Sequence, residues 1–384
     1  MSADEAAPAS PISRLPVELL DAILAKVDEP FGLLSPAERD VRLATLGAAS
    51  RVSRLWHAVG HPLLYRQVEF DDGGTGSGGT GERRAEALAR RDHSALVKTL
   101  WVSSVGQLAP SSLRELPELY PRVEELKLDG RVEEHLRYLV PCSNLRTLLL
   151  EHVEPMLNAS FTFSHLTTLS FRRVRLNFAL PLGHDLLDTT HFPALRHLAL
   201  LTCTPHVEHP LNSPSPHIPY LSPDLLAQLD ELFLDAVDHE LITTAHVPSF
   251  DRSTGPRVAW RVDVGSSSPS TTLPFRHDVL PVEHLVVTVR HDEKLDKTKH
   301  RRRLLRDVAE VLEGTASART VAMPAVLWRS APASAPSGRT AWVKGHISRL
   351  CERRGIVLET YERARLERAP RVGGEGEARR SGIE

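Results

Sequence analysis

Leu145-Arg146-Thr147-Leu148-Leu149-Leu150 and, twenty-one residues on, Leu166-Thr167-Thr168-Leu169-Ser170-Phe171 share one spacing: apolar, two free positions, apolar, one free position, apolar. The closing alternation is that of a short strand, because a strand turns every second side chain to the same face. The triplet recurs as Val97-Leu100-Val102, Val123-Leu126-Leu128, Leu195-Leu198-Leu200, Leu229-Leu232-Leu234 and Val282-Leu285-Val287. A weaker Ala318-Val321-Met323 and a terminal Ile356-Val357-Leu358 suggest two edge strands. The seven starts, at 97, 123, 145, 166, 195, 229 and 282, differ by 26, 22, 21, 29, 34 and 53. The first intervals fall in the period of stacked-repeat proteins. Helix-like stretches lie between them, at 111–120 (SSLRELPELY), 132–140 (VEEHLRYLV), 222–229 (SPDLLAQL) and 296–314, and this alternation predicts an α/β fold with a parallel sheet. Seven to nine strands at about 4.8 Å would give a curved sheet roughly 30 to 40 Å long.

The composition narrows the function classes. In 384 residues, 47 Lys and Arg stand against 49 Asp and Glu, so the cationic excess that marks a nucleic-acid or anionic-membrane surface is missing. Three cysteines, odd in number and far apart, form no disulfide framework and fit a reducing compartment. The opening MSADEAAPASP has neither a basic nor an apolar leader region, and no run of 18 apolar residues follows. A soluble, unexported chain of cytoplasmic or nuclear location is expected. The run at 297–306, KTKHRRRLLR, reads either as an import signal or as the solvated side of a helix whose inner stripe is Leu304, Leu305, Val308, Val311 and Leu312.

Residues 12–27 read as one amphipathic helix, with Ser13 as cap and Pro16 in the first turn. It carries two apolar rows, Leu19-Ile23-Val27 and Leu20-Leu24, more than a single packing partner requires. A second helix is predicted from near Arg39 and a third over 51–60, ended by Gly60, His61 and Pro62. Three short helices make a core too small to stand comfortably alone, which implies a partner.

Leu15-Pro16-Val17-Glu18-Leu19-Leu20, then Ile23 and Val27, then Ala49-Ser50-Arg51-Val52-Ser53-Arg54-Leu55-Trp56, then Pro62-Leu63-Leu64-Tyr65 and a strand-like 66–70, resemble an F-box over residues 12–70. The resemblance implies docking on a Skp-type adaptor and, through it, on a cullin and a RING subunit. By the same resemblance Leu15, Pro16, Leu19, Leu20, Ile23, Leu24, Val52 and Trp56 divide between the module's core and adaptor contact, with the division left open. The segment 28–42 between the first two helices is longer than the usual F-box turn. Residues 97–290 loosely resemble the leucine-rich repeats that often follow an F-box, which implies one irregular leucine-rich-repeat domain over 95–362. The consensus Asn or Cys after each strand is replaced by Val105, Arg131, Val153, Val174 and Val237, and only Cys203 fits, so no continuous asparagine ladder is expected.

On such a sheet the repeat leucines point inward and the intervening residues form an open face. Its central file reads Trp101, Lys127, Leu149, Ser170, Ala199, Phe233 and Val286, flanked by Glu125, Asp129, Thr147, Glu151, Arg172, His197, Glu231, Asp235 and His284. Two readings stand: a recognition strip for a protein substrate, with Trp101, Lys127, Leu149, Arg172, Phe233 and Val286 as its contacts, or a second small core covered by another segment.

Enzyme-like signals are weak. Gly76, Gly78 and Gly81 form a nominal G-x-G-x-x-G, but Trp101, Val102 and Ser103 stand where a dinucleotide site needs an acidic residue. Residues 71–94 therefore read as a Gly-rich linker and helix. His197, Cys203, His206 and His209 lack the second ligand pair of a structural zinc module, and the prolines that follow mark an insertion, as do residues 243–280. No catalytic constellation, metal or cofactor is expected, and residues 1–11 and 363–384 read as disordered ends. The resemblance thus implies a non-catalytic ubiquitin-ligase adaptor, while the repeat pattern alternatively fits a scaffold unrelated to ubiquitin transfer.

Overall fold

The computed structural model describes residues 15–27, 36–70, 93–103, 110–130, 133–156, 161–177, 187–206, 222–235, 257–264, 282–289, 298–328 and 338–361. The expected cap Ser13, the glycines at 76–81, the run 207–221 and both chain ends lie outside these residues. The chain is mixed α/β and divides into two compact units, Met1–Leu195 with Thr202–Leu225, and Arg196–Leu201 with Leu226–Glu384.

The first unit opens with α1 (Val17–Val27), α2 (Pro36–Ala49) and α3 (Arg54–Arg66). Pro16 precedes α1 and its carbonyl accepts from the amides of Leu19 and Leu20, so the helix starts later than residue 12. The second helix begins at Pro36 rather than near Arg39, shortening the long segment expected before it. Ser53 caps α3, its Oγ accepting from the amide of Trp56 at 3.3 Å. The third helix runs past Gly60, His61 and Pro62 instead of ending there. Pro62 removes only the donor to the carbonyl of Ala58, an exposed residue where water can substitute, and buried Gly60 lets Leu24 approach closely.

Arg66 ends α3 and β1 (Gln67–Phe70) follows at once, pairing in parallel with β2 (Thr99–Ser103). The strand expected to close the helical module is thus the first strand of the sheet. After α4 (Pro110–Leu119) come β3 (Glu125–Asp129), β4 (Glu133–His135), β5 (Thr147–Glu151), β6 (Glu154–Met156), β7 (Thr168–Arg172) and β8 (Arg175–Asn177). The longer strands are ordered β1-β2-β3-β5-β7, all parallel. The helix expected over 132–140 is instead β4 and a 3-10 turn, Leu136–Leu139. Its apolar residues, Leu136 and Leu139, sit three apart and are buried as a single turn.

In the second unit β9 (His197–Leu201), β11 (Glu231–Asp235), β12 (Arg257–Val264), β13 (Val282–Val289), β14 (Thr320–Pro324) and β15 (Val357–Tyr361) pair in that order, again parallel. Between β9 and β11 the chain passes through β10 (Thr204–His206) and α5 (Pro223–Gln228). The helices α6 (Thr298–Gly314), α7 (Ala325–Trp328) and α8 (Gly338–Arg354) accompany the last strands. Strand β12 is a correction: it lies inside the stretch expected to be an insertion. Val258 and Trp260 alternate into the interior there, both essentially buried.

Every residue of the seven apolar triplets is buried. Burying one such side chain is worth about 1.5–3 kcal/mol, so these 21 positions contribute substantially to the drive to fold. The corners after the strands replace the missing asparagines by another device. His152, Arg173 and Thr202 take positive φ angles of 56°, 51° and 59°, and the next residues, Val153, Val174 and Cys203, are buried. The amides of Gly130 and His152 donate across to Glu151 O at 3.0 Å and Arg172 O at 3.1 Å, and Cys203 Sγ approaches Phe171 O at 3.7 Å. The short strands β4, β6, β8 and β10 then form a second parallel sheet beyond the corners. The corner positions 105, 131 and 237 lie outside the described residues. Among the described residues no helix is long and apolar enough to cross a membrane.

Candidate docking and recognition surfaces

The helical module resolves its two apolar rows. Leu20 and Leu24 are buried with Leu46 and Ala49, and Val27, Leu55, Trp56, Val59, Leu63 and Leu64 pack around them. Trp56, half-buried, therefore belongs to the module's interior, and Leu15 is half-buried at the entry to α1. The neighbouring row faces out: Leu19 is 53% exposed and Ile23 47%, with Pro16 also exposed. Val17, Val41 and Val52 are exposed as well. Of these, Val17 and Val41 were not among the expected adaptor contacts: Val17 lies on α1 outside its two apolar rows, and Val41 lies on the second helix. Buried Arg42 braces the module, donating from Nη2 to Leu63 O at 3.1 Å.

The sheet of the first unit presents three level rows: Thr99-Glu125-Thr147-Thr168, Trp101-Lys127-Leu149-Ser170 and Ser103-Asp129-Glu151-Arg172. Four of the six expected substrate contacts, Trp101, Lys127, Leu149 and Arg172, thus stand together. Trp101 is largely covered: the Lys127 ammonium lies 5.1 Å from its ring centroid and its Nε1 donates to Glu125 Oε1 at 3.2 Å. Lys127 also reaches Glu151 at 3.3 Å, and Arg172 meets the other oxygen of the same carboxylate at 3.4 Å. At the corner, His152 Nδ1 pairs with Asp129 Oδ1 at 2.9 Å. Leu149 and Lys127 remain partly exposed among these fixed charges.

Asp129, Glu151 and His152 bring one ligand atom each within 4.8 Å of one another. Two cations already neutralise Glu151, so a metal ion there would face Lys127 and Arg172 at close range. The cluster reads as a charge network that holds side chains still.

The second unit treats its file differently. Phe233 and Val286 join Ala199, Leu201 and Ala259 in a buried apolar cluster. The expectation of an exposed strip does not hold at these positions, which are buried. The period of two places Phe233 on the open face, and it says nothing about which chain segment lies over that face. Beside the cluster, burial raises the Glu231 carboxyl above the usual carboxylate range, against the opposing pull of His197, 3.2 Å away, and Arg257. Burial also lowers the His284 imidazole, whose Nδ1 meets Thr320 Oγ1 at 2.5 Å.

No protein-family model matches the chain, and no curated protein matches it.

Proposed function

We propose that the chain is the substrate-recognition adaptor of an SCF-type ubiquitin ligase. Residues 12–70 act as an F-box on a Skp-type subunit, and through it on a cullin and a RING subunit, while the open sheet face of the first unit, an irregular leucine-rich repeat, holds a protein substrate. One observation carries this reading: a three-helix module whose own core uses Leu20 and Leu24 leaves the adjacent Leu19-Ile23 row to water. Exposed large apolar side chains on a small module mark a partner surface.

The partly exposed Leu149, set among the ordered charges of Lys127, Glu151 and Arg172, supplies the mixture of apolar and oriented polar contact that protein recognition uses. Function by proximity needs no catalytic base, since the adaptor raises the effective concentration of substrate lysines near a thioester carried by another subunit. Co-purification of the full chain with a Skp-type adaptor and a cullin tests the reading. Capture of both supports it, whereas a folded chain that captures neither belongs to the alternative, a repeat scaffold outside ubiquitin transfer.

A further inference from the structure

Two guanidiniums of the first unit converge on one phenol. Arg114, on α4, and Arg137, on the 3-10 turn Leu136–Leu139, bring their Nη2 atoms to 3.2 and 3.4 Å from the hydroxyl oxygen of Tyr138. Their guanidinium carbons lie 5.0 and 5.2 Å from the centre of its ring. Leu136 and Leu139 anchor the turn in the core, while Tyr138 is half-buried and both arginines are exposed. Among the described residues neither arginine pairs with a carboxylate. Two cations thus meet around a neutral oxygen without a counter-charge between them. Hydrogen bonds from Arg137 and Arg114 favour the ionised phenol and hold it below the usual tyrosine range.

Other tyrosines are placed differently. Tyr120 is 5% exposed, and Tyr65 packs against His61 and His93 with ring centroids 4.9 and 4.3 Å away. A phosphate ester on Tyr138 would carry a charge of about −1.5 to −2 and three acceptor oxygens, at the place where the two cations already meet. Charge-assisted bonds to such oxygens run at about 2.7–2.9 Å, so the arginines, long side chains at the surface, need only withdraw from the phenol oxygen and regrip the oxygens beyond it. The turn is also lightly closed: Val140 N reaches Arg137 O at 3.3 Å and Cys142 N reaches Leu139 O at 3.0 Å, short-range bonds of the kind that open locally.

We propose that Tyr138 is a phosphorylation site whose product is clamped by Arg114 and Arg137. A tyrosine kinase transfers the γ-phosphoryl group of ATP: the bond from the γ-phosphorus to the β,γ-bridging oxygen breaks, the phenol oxygen bonds to that phosphorus, ADP leaves, and the phenol proton passes to the kinase's base. The ester fastens α4 to the turn that precedes β5 and turns a cationic spot into a neutralised one. The inference is independent of the proposed adaptor role.

The test incubates the full chain with ATP and a broad-specificity tyrosine kinase, maps the product by peptide mass spectrometry, and compares melting temperatures before and after phosphatase treatment. Tyr138 should be modified ahead of Tyr65 and Tyr120, and the modified chain should melt about 2–4 °C higher, a gain the phosphatase reverses. Tyr138→Phe should remove both effects. Arg114→Gln should leave the modification but cancel most of the gain, and Arg114→Lys should keep part of it; Arg137→Gln takes its place if Arg114→Gln fails to fold. An unmodified Tyr138, or a modified one whose melting temperature does not rise or rises equally in the glutamine variants, overturns the site.

Discussion

Leu19 and Leu20 are consecutive, yet Leu20 is fully buried beside Leu46 and Leu19 is more than half exposed. A helix turns successive residues by about 100°, so one step along the chain crosses from interior to surface.

Leu20→Ala should destabilise the helical module by about 2–5 kcal/mol, as deletion of a buried leucine does. Leu19→Ala combined with Ile23→Ala should change stability by no more than about 1 kcal/mol while reducing adaptor binding tenfold or more. Urea denaturation beside an adaptor pull-down separates the two, and adaptor capture that survives the exposed pair would remove the docking assignment.

Lys127 and Phe233, both expected on one exposed strip, should behave oppositely. Lys127→Ala removes a cation over Trp101 and one partner of Glu151, at about 1 kcal/mol of stability, and should abolish substrate capture. Phe233→Ala empties part of a buried cluster and should cost about 3–5 kcal/mol. Denaturant midpoints for both variants check the contrast.

Acid should loosen the first unit through His61. Burial, with His57 and His93 beside it, sets its folded value below the unfolded value near 6.5, so the unfolded chain takes up the proton first. Stability is then flat above about 6.5, falls as pH drops from there to the folded value, and levels below it. Glu231 has the opposite sign: its raised value is a penalty at neutral pH that eases as pH falls through the folded value toward 4.5. His61→Gln should flatten part of the loss, read by denaturation at several pH values.

Gly355 ends α8 at φ 64°, its amide donating to Glu352 O at 3.2 Å while Ile356 N reaches Cys351 O at 2.8 Å. No atom lies within 4 Å of a Cβ placed there, so space is not the constraint. Gly355→Ala should nonetheless cost about 1 kcal/mol, because an L-residue resists the left-handed conformation. Thermal denaturation measures it.

The seven triplets were legible because each repeats one burial demand at one spacing, and all 21 side chains meet it. Strand β12 escaped because that template looks for an apolar residue three places before Val258 and finds Gly255. The strands β4, β6, β8 and β10 have three residues each, too few for any period to emerge. At the surfaces, the two rows of α1 were visible in sequence, but which one the core takes depends on Leu46 and Ala49 from another helix. The covering of Phe233 is likewise a tertiary fact that no local pattern encodes.

The corners built on Val153, Val174 and Cys203 have a consequence for how this chain can change over generations. An asparagine ladder fixes one residue type per turn, whereas a corner set by backbone angles and a small buried side chain accepts valine or cysteine alike. Those places are held to a small apolar side chain but not to one residue type, so the corner fixes the route of the backbone more tightly than the letter that fills it.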